Sequence, residues 1–288
     1  MASRYPKISV ITPSYNQAQF IEQTIRSVLD QNYPNLEYIV QDGGSTDGSV
    51  EIIKRYADRI DFWESGPDGG QSAAINKGFK RATGDFIMWI NSDDMLAPGC
   101  LLALAESGEL KPNRLIAGRC AFIDVEGTQT GTHQTRITCL AELFRLRDIW
   151  YKQGQIVQPE TIFCRELFWR AGGLDAGNHY CMDYDLWIQM LTVGGELKAV
   201  PVDVGVFRRH EAQKVSDKQH VLDGLCNVAR KRLLECDKLS RWQISRLKAG
   251  IDDFQENWDK PKQRVSLPMP LRKLRSAYLR LQKVIRGY

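Results

Sequence analysis

Four oxygen-rich residues, Asn91-Ser92-Asp93-Asp94, stand directly after the apolar run Phe86 to Ile90. Hard oxygen ligands presented at the end of a buried strand suit Mg²⁺ or Mn²⁺, which takes one or two protein carboxylates and completes its shell with phosphate and water. The alternative is an acid-capped approach to the helix after Pro98, and Ser-Asp-Asp alone is a common tripeptide. Three further polar loops follow strand-like runs: Pro13-Ser14-Tyr15-Asn16, Asp42-Gly43-Gly44-Ser45 and Gly66-Pro67-Asp68-Gly69-Gly70. Each alone reads as an ordinary turn. Four on successive strand ends, repeatedly acidic, read as one crevice, because open parallel sheets bind ligands beyond the carboxyl ends of their strands. Farther along, Asp183-Tyr184-Asp185 opens a helix-period segment with carboxylates in its first turn, where the macrodipole favours them.

The elements that must position these residues alternate in type. Ile8 to Thr12 reads as a buried strand ended by Pro13, and Phe20, Ile21, Ile25, Val28 and Leu29 recur at helical spacing until Asn32-Tyr33-Pro34. A strand over Leu36 to Val40, a helix over Ser49 to Tyr56, a strand near Asp61 to Glu64, a helix over Ser72 to Arg81 and a strand over Phe86 to Ile90 follow. This alternation predicts an α/β fold with a mostly parallel, doubly wound sheet. Gln158 to Cys164 then reads as a strand, Arg165 to Ala171 as a short helix closed by Gly172-Gly173, and Gln219 to Cys236 and Arg241 to Asn257 as helices.

Composition narrows the function classes. With 43% apolar and 26% charged residues over 288 positions, the chain has globular proportions, which disfavours disorder, collagen-like repetition and a disulfide scaffold. No window approaches the roughly 18 consecutive apolar residues of a membrane span, and Met1 to Lys7 runs into a strand without a signal-like stretch, so the expectation is a cytoplasmic protein. Seven cysteines, an odd number with no CxxC pair, read as reduced and mostly buried thiols. Charge is uneven: 39 basic against 35 acidic residues overall, but nine basic and no acidic residues from Lys260 to Tyr288. There Leu271, Leu274, Tyr278, Leu281 and Ile285 form one apolar stripe on a helix-period segment. A basic amphipathic helix begun after Pro268 and Pro270, within residues 261–288, reads either as an anchor on an anionic membrane surface or as a stripe that packs on protein.

Five motifs in order, Ile11 to Asn16, Val40 to Asp47, Asp68 to Gly78, Asn91 to Asp94 and Met182 to Trp187, resemble those of a family 2 glycosyltransferase of GT-A fold. The similarity runs over about residues 6–216. The resemblance implies a catalytic domain over 1–216, with a nucleotide-sugar half to about residue 97 and an acceptor half from 98, a helical extension over 217–259 and a basic tail from 260. It implies a nucleoside-diphosphate sugar donor, Mg²⁺ or Mn²⁺, and a glycan or lipid-linked acceptor in bacterial surface-glycan synthesis.

Carried over by position, Thr12, Pro13 and Tyr15 line the nucleotide pocket, Asp42 meets the base and Asp68 approaches the nucleotide or ribose. Asn76 and Ser92 lie beside the donor. The DXD motif of such enzymes falls on Asn91-Ser92-Asp93 with its first acid replaced, which makes Asp93 the principal metal ligand and Asp94 a helper. The acid pair before an aromatic reads Met182-Asp183 here, so Asp183 is the candidate base and Asp185 a structural carboxylate. His210, after Arg208 and Arg209, resembles a late-loop metal or diphosphate ligand, a surface histidine being the alternative. Two rivals remain. A sugar-1-phosphate nucleotidyltransferase shares the alternation and metal need, but its early Gly-rich loop with Arg and Lys is missing. A nucleic-acid binder is suggested by the tail alone, and no nucleic acid is expected as a partner.

Overall fold

The computed structural model describes residues 5–151 and 153–259. Its first half follows the alternation: β1 (Ile8–Ser14), α1 (Ile21–Leu29), β2 (Leu36–Asp42), α2 (Ser49–Arg55), β3 (Phe62–Ser65), α3 (Gln71–Arg81) and β4 (Phe86–Trp89). All of β1 and β4 is buried, as strands covered by helices on both faces require. Helix α1 buries Ile21, Thr24, Ile25 and Val28 on one face. The four strands pair in parallel in the order β3-β2-β1-β4, with Ile8 opposite both Leu36 and Phe86. Their carboxyl ends, and so the four polar loops, lie at one edge.

The second half comprises β5 (Met95–Leu96), α4 (Cys100–Glu106), β6 (Arg114–Ile123), β7 (Gln129–Gln134), α5 (Leu140–Leu143), α6 (Leu146–Tyr151), β8 (Thr161–Cys164), α7 (Arg165–Arg170), α8 (Met182–Thr192), β9 (Glu196–Arg208), α9 (Lys218–Glu235) and α10 (Arg241–Asn257). The sheet continues β4-β8-β6-β9-β5, and β7 pairs with β6. Parallel pairing is confined here to β6 and β9, while β8 runs antiparallel to both β4 and β6. The expected parallel sheet is thus parallel through β4 and mixed beyond it. Sequence could not reveal this, since a central strand buried throughout, as β8 is, has the same apolar pattern in either direction. The strand expected over Gln158 to Cys164 starts only at Thr161. Pro159, which has no N–H to give a ladder, turns Gln158–Glu160 into one 3₁₀ turn.

Edge-to-face contacts among Phe79, Trp89, Phe163 and Phe168 join α3, β4, β8 and α7, with centroids of Phe79 and Phe168 4.7 Å apart. At the opposite edge from the polar loops, burial alone would raise the Glu37 carboxyl, but hydrogen bonds from Lys7, Ser9 and Thr83 bring it down to about 2. All seven cysteines are free and six are buried, Cys139 being exposed. No helix among the described residues is long and apolar enough to cross a membrane.

One compact unit runs through Gln255, so most of the segment 217–259 belongs to the same unit as the sheet. A second unit begins at Glu256 and is described only to Asp259; the amphipathic stripe expected over 261–288 lies outside the described residues. The extension is joined to the body by charge: Arg232 of α9 grips Asp185 of α8 through two bonds, Nε to Oδ1 at 2.6 Å and Nη2 to Oδ2 at 2.9 Å. The Asp185 side chain is 3% exposed. Removing one partner of such a pair leaves an uncompensated charge inside. Arg232→Leu should therefore lower unfolding free energy by about 3 to 5 kcal/mol in urea titration, and adding Asp185→Leu should recover most of the loss.

Candidate active site

The donor-side loops are built by backbone donors converging on acids. Asp42, at the end of β2 and almost fully buried, accepts from the Gly44 and Ser45 N–H groups and from the Ser45 and Ser65 hydroxyls, at 2.5 to 3.1 Å. Expected to meet the base, it instead holds the loop after β2 in shape. Asn16 is fastened to that loop by its N–H to Ser45 Oγ and its side-chain oxygen to the Thr46 N–H. Two expected pocket residues face each other across Gly43: a Cβ there would meet Asp68 Oδ2 at 3.0 Å and Tyr15 Cδ2 at 3.3 Å. Tyr15 is 63% exposed, an aromatic face available to a flat ring.

Thr12 and Pro13, expected in the pocket lining, are both buried within β1, and Thr12 Oγ1 accepts from the buried Tyr38 hydroxyl at 3.0 Å, because alternation along the strand turns that side chain into the core. Asn76, expected beside the donor, is engaged by the chain itself. Its Nδ2 donates to the Leu174 carbonyl at 2.7 Å and its Oδ1 accepts the Leu174 N–H at 3.1 Å, so both polar atoms clamp the turn after α7 to α3. Ser92 is buried, and its carbonyl accepts from Thr24 of α1.

The loop after β4 is held from the other side of the sheet. Arg208, ending β9 and 2% exposed, donates its N–H to Asp94 Oδ1, Nε to the Asp93 carbonyl, Nη1 to the Val125 carbonyl and Nη2 to Gln23 Oε1. Asp94 is wholly buried, and its other oxygen accepts from Asn91. Burial, then the like charge of Asp93, pushes the Asp94 carboxyl well above the usual carboxylate range. It anchors the loop after β4. Asp93 is part-exposed. His210 Nε2 lies 3.1 Å from Asp93 Oδ2, Gln213 Nε2 3.3 Å from the same oxygen, and the His210 ring packs on Phe20 at 4.9 Å. Asp93 and His210, both expected at a metal, are therefore in contact.

One carboxylate and one imidazole suit Mn²⁺ or Mg²⁺ sharing its shell with phosphate and water. No set of three His, Cys, Asp or Glu groups placed for an ion occurs among the described residues, so the protein would supply two ligands.

Asp183 sits in the first turn of α8. Burial raises its carboxyl to about 6 against the hydrogen bond from the Tyr184 N–H, which favours the charged form. A row of hydrogen bonds runs from Lys214, after β9, to β4, and in it sequence reasoning missed Gln158 and Lys214. Lys214 donates to Gln71 Oε1 at 3.0 Å and to the His179 carbonyl at 3.4 Å; Gln71 donates to Asn91 Oδ1, Asn91 to Gln158 Oε1, and Gln158 to the Trp89 carbonyl. Burial lowers the Lys214 pKa. Gln158 and Lys214 belong to no motif; the available signal was the position of Gln213-Lys214 just past His210.

The family model for glycosyl transferase family 2 matches residues 9–172. An uncharacterized glycosyltransferase of Haemophilus influenzae is 39% identical over 129 residues, 43% of this chain and 51% of its own. A Bacillus subtilis glycosyltransferase provisionally assigned to teichuronic acid biosynthesis, TuaG, is 41% identical over 97 residues, 33% and 38% of the two chains. The chain thus matches about half or less of these relatives' length. Among solved structures, S. aureus TarS 1–349 in complex with UDP aligns with a TM-score of 0.65 at 17% identity, over 91% of this chain and 76% of that one. The mannosyltransferase PcManGT from Pyrobaculum calidifontis, in complex with GDP-Man and Mn²⁺, aligns at 0.57 and 17% over 98% and 83%. The fold is therefore that of the GT-A glycosyltransferases.

Reassigning Asn76 has a measurable consequence. Asn76→Asp puts a carboxylate against the Leu174 carbonyl and should cost about 1 to 3 kcal/mol in thermal or urea unfolding. In the folded variant, UDP or GDP affinity by calorimetry should stay within about twofold of wild type. A large loss of affinity would return Asn76 to the donor pocket.

Proposed function

Because the chain belongs to glycosyl transferase family 2, we propose that it moves a sugar from a nucleoside-diphosphate sugar to a hydroxyl acceptor with inversion, in bacterial surface-glycan synthesis. The observation that carries this reading is the contact of His210 Nε2 with Asp93 Oδ2, 3.1 Å, in the loop after β4, with Tyr15 and Asp68 drawn together over Gly43 at the ends of β1 and β3. Asp183, a carboxyl that burial raises to about 6, is assigned to the acceptor. Neighbours of the same fold were solved with UDP, UDP-GlcNAc and GDP-Man, which supports a nucleotide-sugar donor. The link of TuaG to teichuronic acid supports a surface polysaccharide as product.

Each group has a defined task. Tyr15 stacks on the base, and Asp68 accepts from ribose. Asp93 and His210 would hold Mg²⁺ or Mn²⁺, which as a Lewis acid offsets charge growing on the leaving diphosphate. Lys214, whose ammonium is held only by neutral oxygens in the contacts above, adds a cation on the same side. Asp183 is ionised at neutral pH and takes the proton of the acceptor hydroxyl as that oxygen attacks the anomeric carbon opposite the diphosphate. One displacement by one base inverts the anomeric centre. A glycosidase would need a second carboxylate beside the scissile bond. The neighbouring acid, Asp185, is buried and spent on Arg232.

Two results follow. Asp183→Asn should lower turnover by about 10² to 10⁴ while donor affinity stays near wild type. Because the base works deprotonated, wild-type turnover should rise with pH through about 6 and level off above it, and the residual activity of Asp183→Asn should lack that limb. A pH profile of nucleoside-diphosphate release, scored across a donor panel with Mn²⁺, tests both; full activity in Asp183→Asn would remove the base assignment.

A further inference from the structure

The loop leading into α8, the helix that carries the candidate base, presents a large aromatic ring to solvent. Tyr180 is 40% exposed and stands three residues before Asp183. Its ring is stacked on His220 of α9, with centroids 5.4 Å apart and planes 13° from parallel. His220 is fixed in turn, its Nδ1 2.6 Å from Asp217 Oδ2. Helix α9 comes this close because residue 224 is glycine: a Cβ there would lie 2.9 Å from Cys181 Sγ and 3.6 Å from Tyr180 Cβ.

The loop carrying Tyr180 is tied down along its length. Leu174 is clamped by Asn76, the Asn178 side chain accepts the Cys181 N–H, and Lys214 donates to the His179 carbonyl. An exposed tyrosine in a mobile loop would lose entropy on binding; one already stacked and tethered loses little. Its free face carries the negative lobe of the ring quadrupole, which attracts the positively polarised C–H groups on the flat face of a pyranose.

From this we infer that Tyr180, backed by His220, is the platform on which a sugar ring of the acceptor stacks, so that the acceptor is a carbohydrate docked by its C–H face. The inference rests on the transferase reading and deepens it. Only the acceptor hydroxyl approaches Asp183 in that reading, so an exposed ring three residues ahead of it on the same loop is assigned to the acceptor, as Tyr15 is to the donor. It also gives the helical extension a role in substrate choice, since His220 and Gly224 both come from α9.

The test is ligand-observed saturation-transfer NMR on the full chain with methyl glycosides of glucose, galactose, mannose, rhamnose and N-acetylglucosamine, with and without UDP. Tyr180→Ala and Tyr180→Phe are compared with wild type, and UDP affinity is measured in parallel. At least one glycoside should show saturation concentrated on the protons of one ring face. The signal should fall about tenfold in Tyr180→Ala and persist in Tyr180→Phe, with UDP affinity equal in all three. Equal saturation in Tyr180→Ala, or no saturation by any glycoside on wild type, would overturn the inference. Failure of the wild type to bind any nucleoside diphosphate would count against the donor reading, while the UDP-free spectra still judge the platform.

Discussion

A buried guanidinium organises the centre of this molecule. Arg208 brings a full positive charge inside, and such a charge persists only where its donors find acceptors. Here they find the Asp93 carbonyl, the Val125 carbonyl and Gln23, while its backbone N–H reaches the Asp94 carboxylate. Those acceptors come from α1, the loop after β4 and the end of β6, elements that are distant in sequence. Because Arg208 ends β9, fixing it also fixes His210 and Gln213 two and five residues later, and so sets both side chains against Asp93. The contacts of His210 and Gln213 with Asp93 depend on that one anchored strand end.

Two neighbouring acids illustrate how environment divides labour. Asp93 and Asp94 share a motif, yet one faces the crevice and the other is consumed by the Arg208 N–H and Asn91. Asp183 and Asp185 repeat the pattern on α8, where a two-residue step along the helix turns one carboxylate to the crevice and the other into the grip of Arg232. In both pairs one acid is spent on structure, Asp94 on the Arg208 N–H and Asp185 on the Arg232 guanidinium.

The sequence made the first half of the fold legible because each strand and helix there has its own period, and the polar loops punctuate them. Asp93 and His210 could be named together from sequence because residues of a chemical type stand out after a strand end, and the structure brings them into contact. The internal partners of Thr12, Asn76 and Asp94 were not legible, because a motif reports that a polar residue is needed and leaves open whether its partner is a ligand or the chain itself. Which way a polar side chain turns is settled by distant groups such as Tyr38 and Leu174. Arg208, Gln213 and Lys214 escaped notice on the same ground, since their partners lie more than 100 residues away. The antiparallel insertion of β8 was hidden because apolar patterning carries no direction.

The central claim is that Asp93 and His210, brought together by the Arg208 anchor, form one half-site for a divalent cation on a nucleoside diphosphate. Pulsed electron paramagnetic resonance of Mn²⁺ added with UDP or GDP to the full chain tests it directly. The account predicts nitrogen modulation from one coordinated imidazole, absent in His210→Ala, together with phosphorus coupling from the nucleotide. Phosphorus coupling without any nitrogen modulation in the wild type would contradict it.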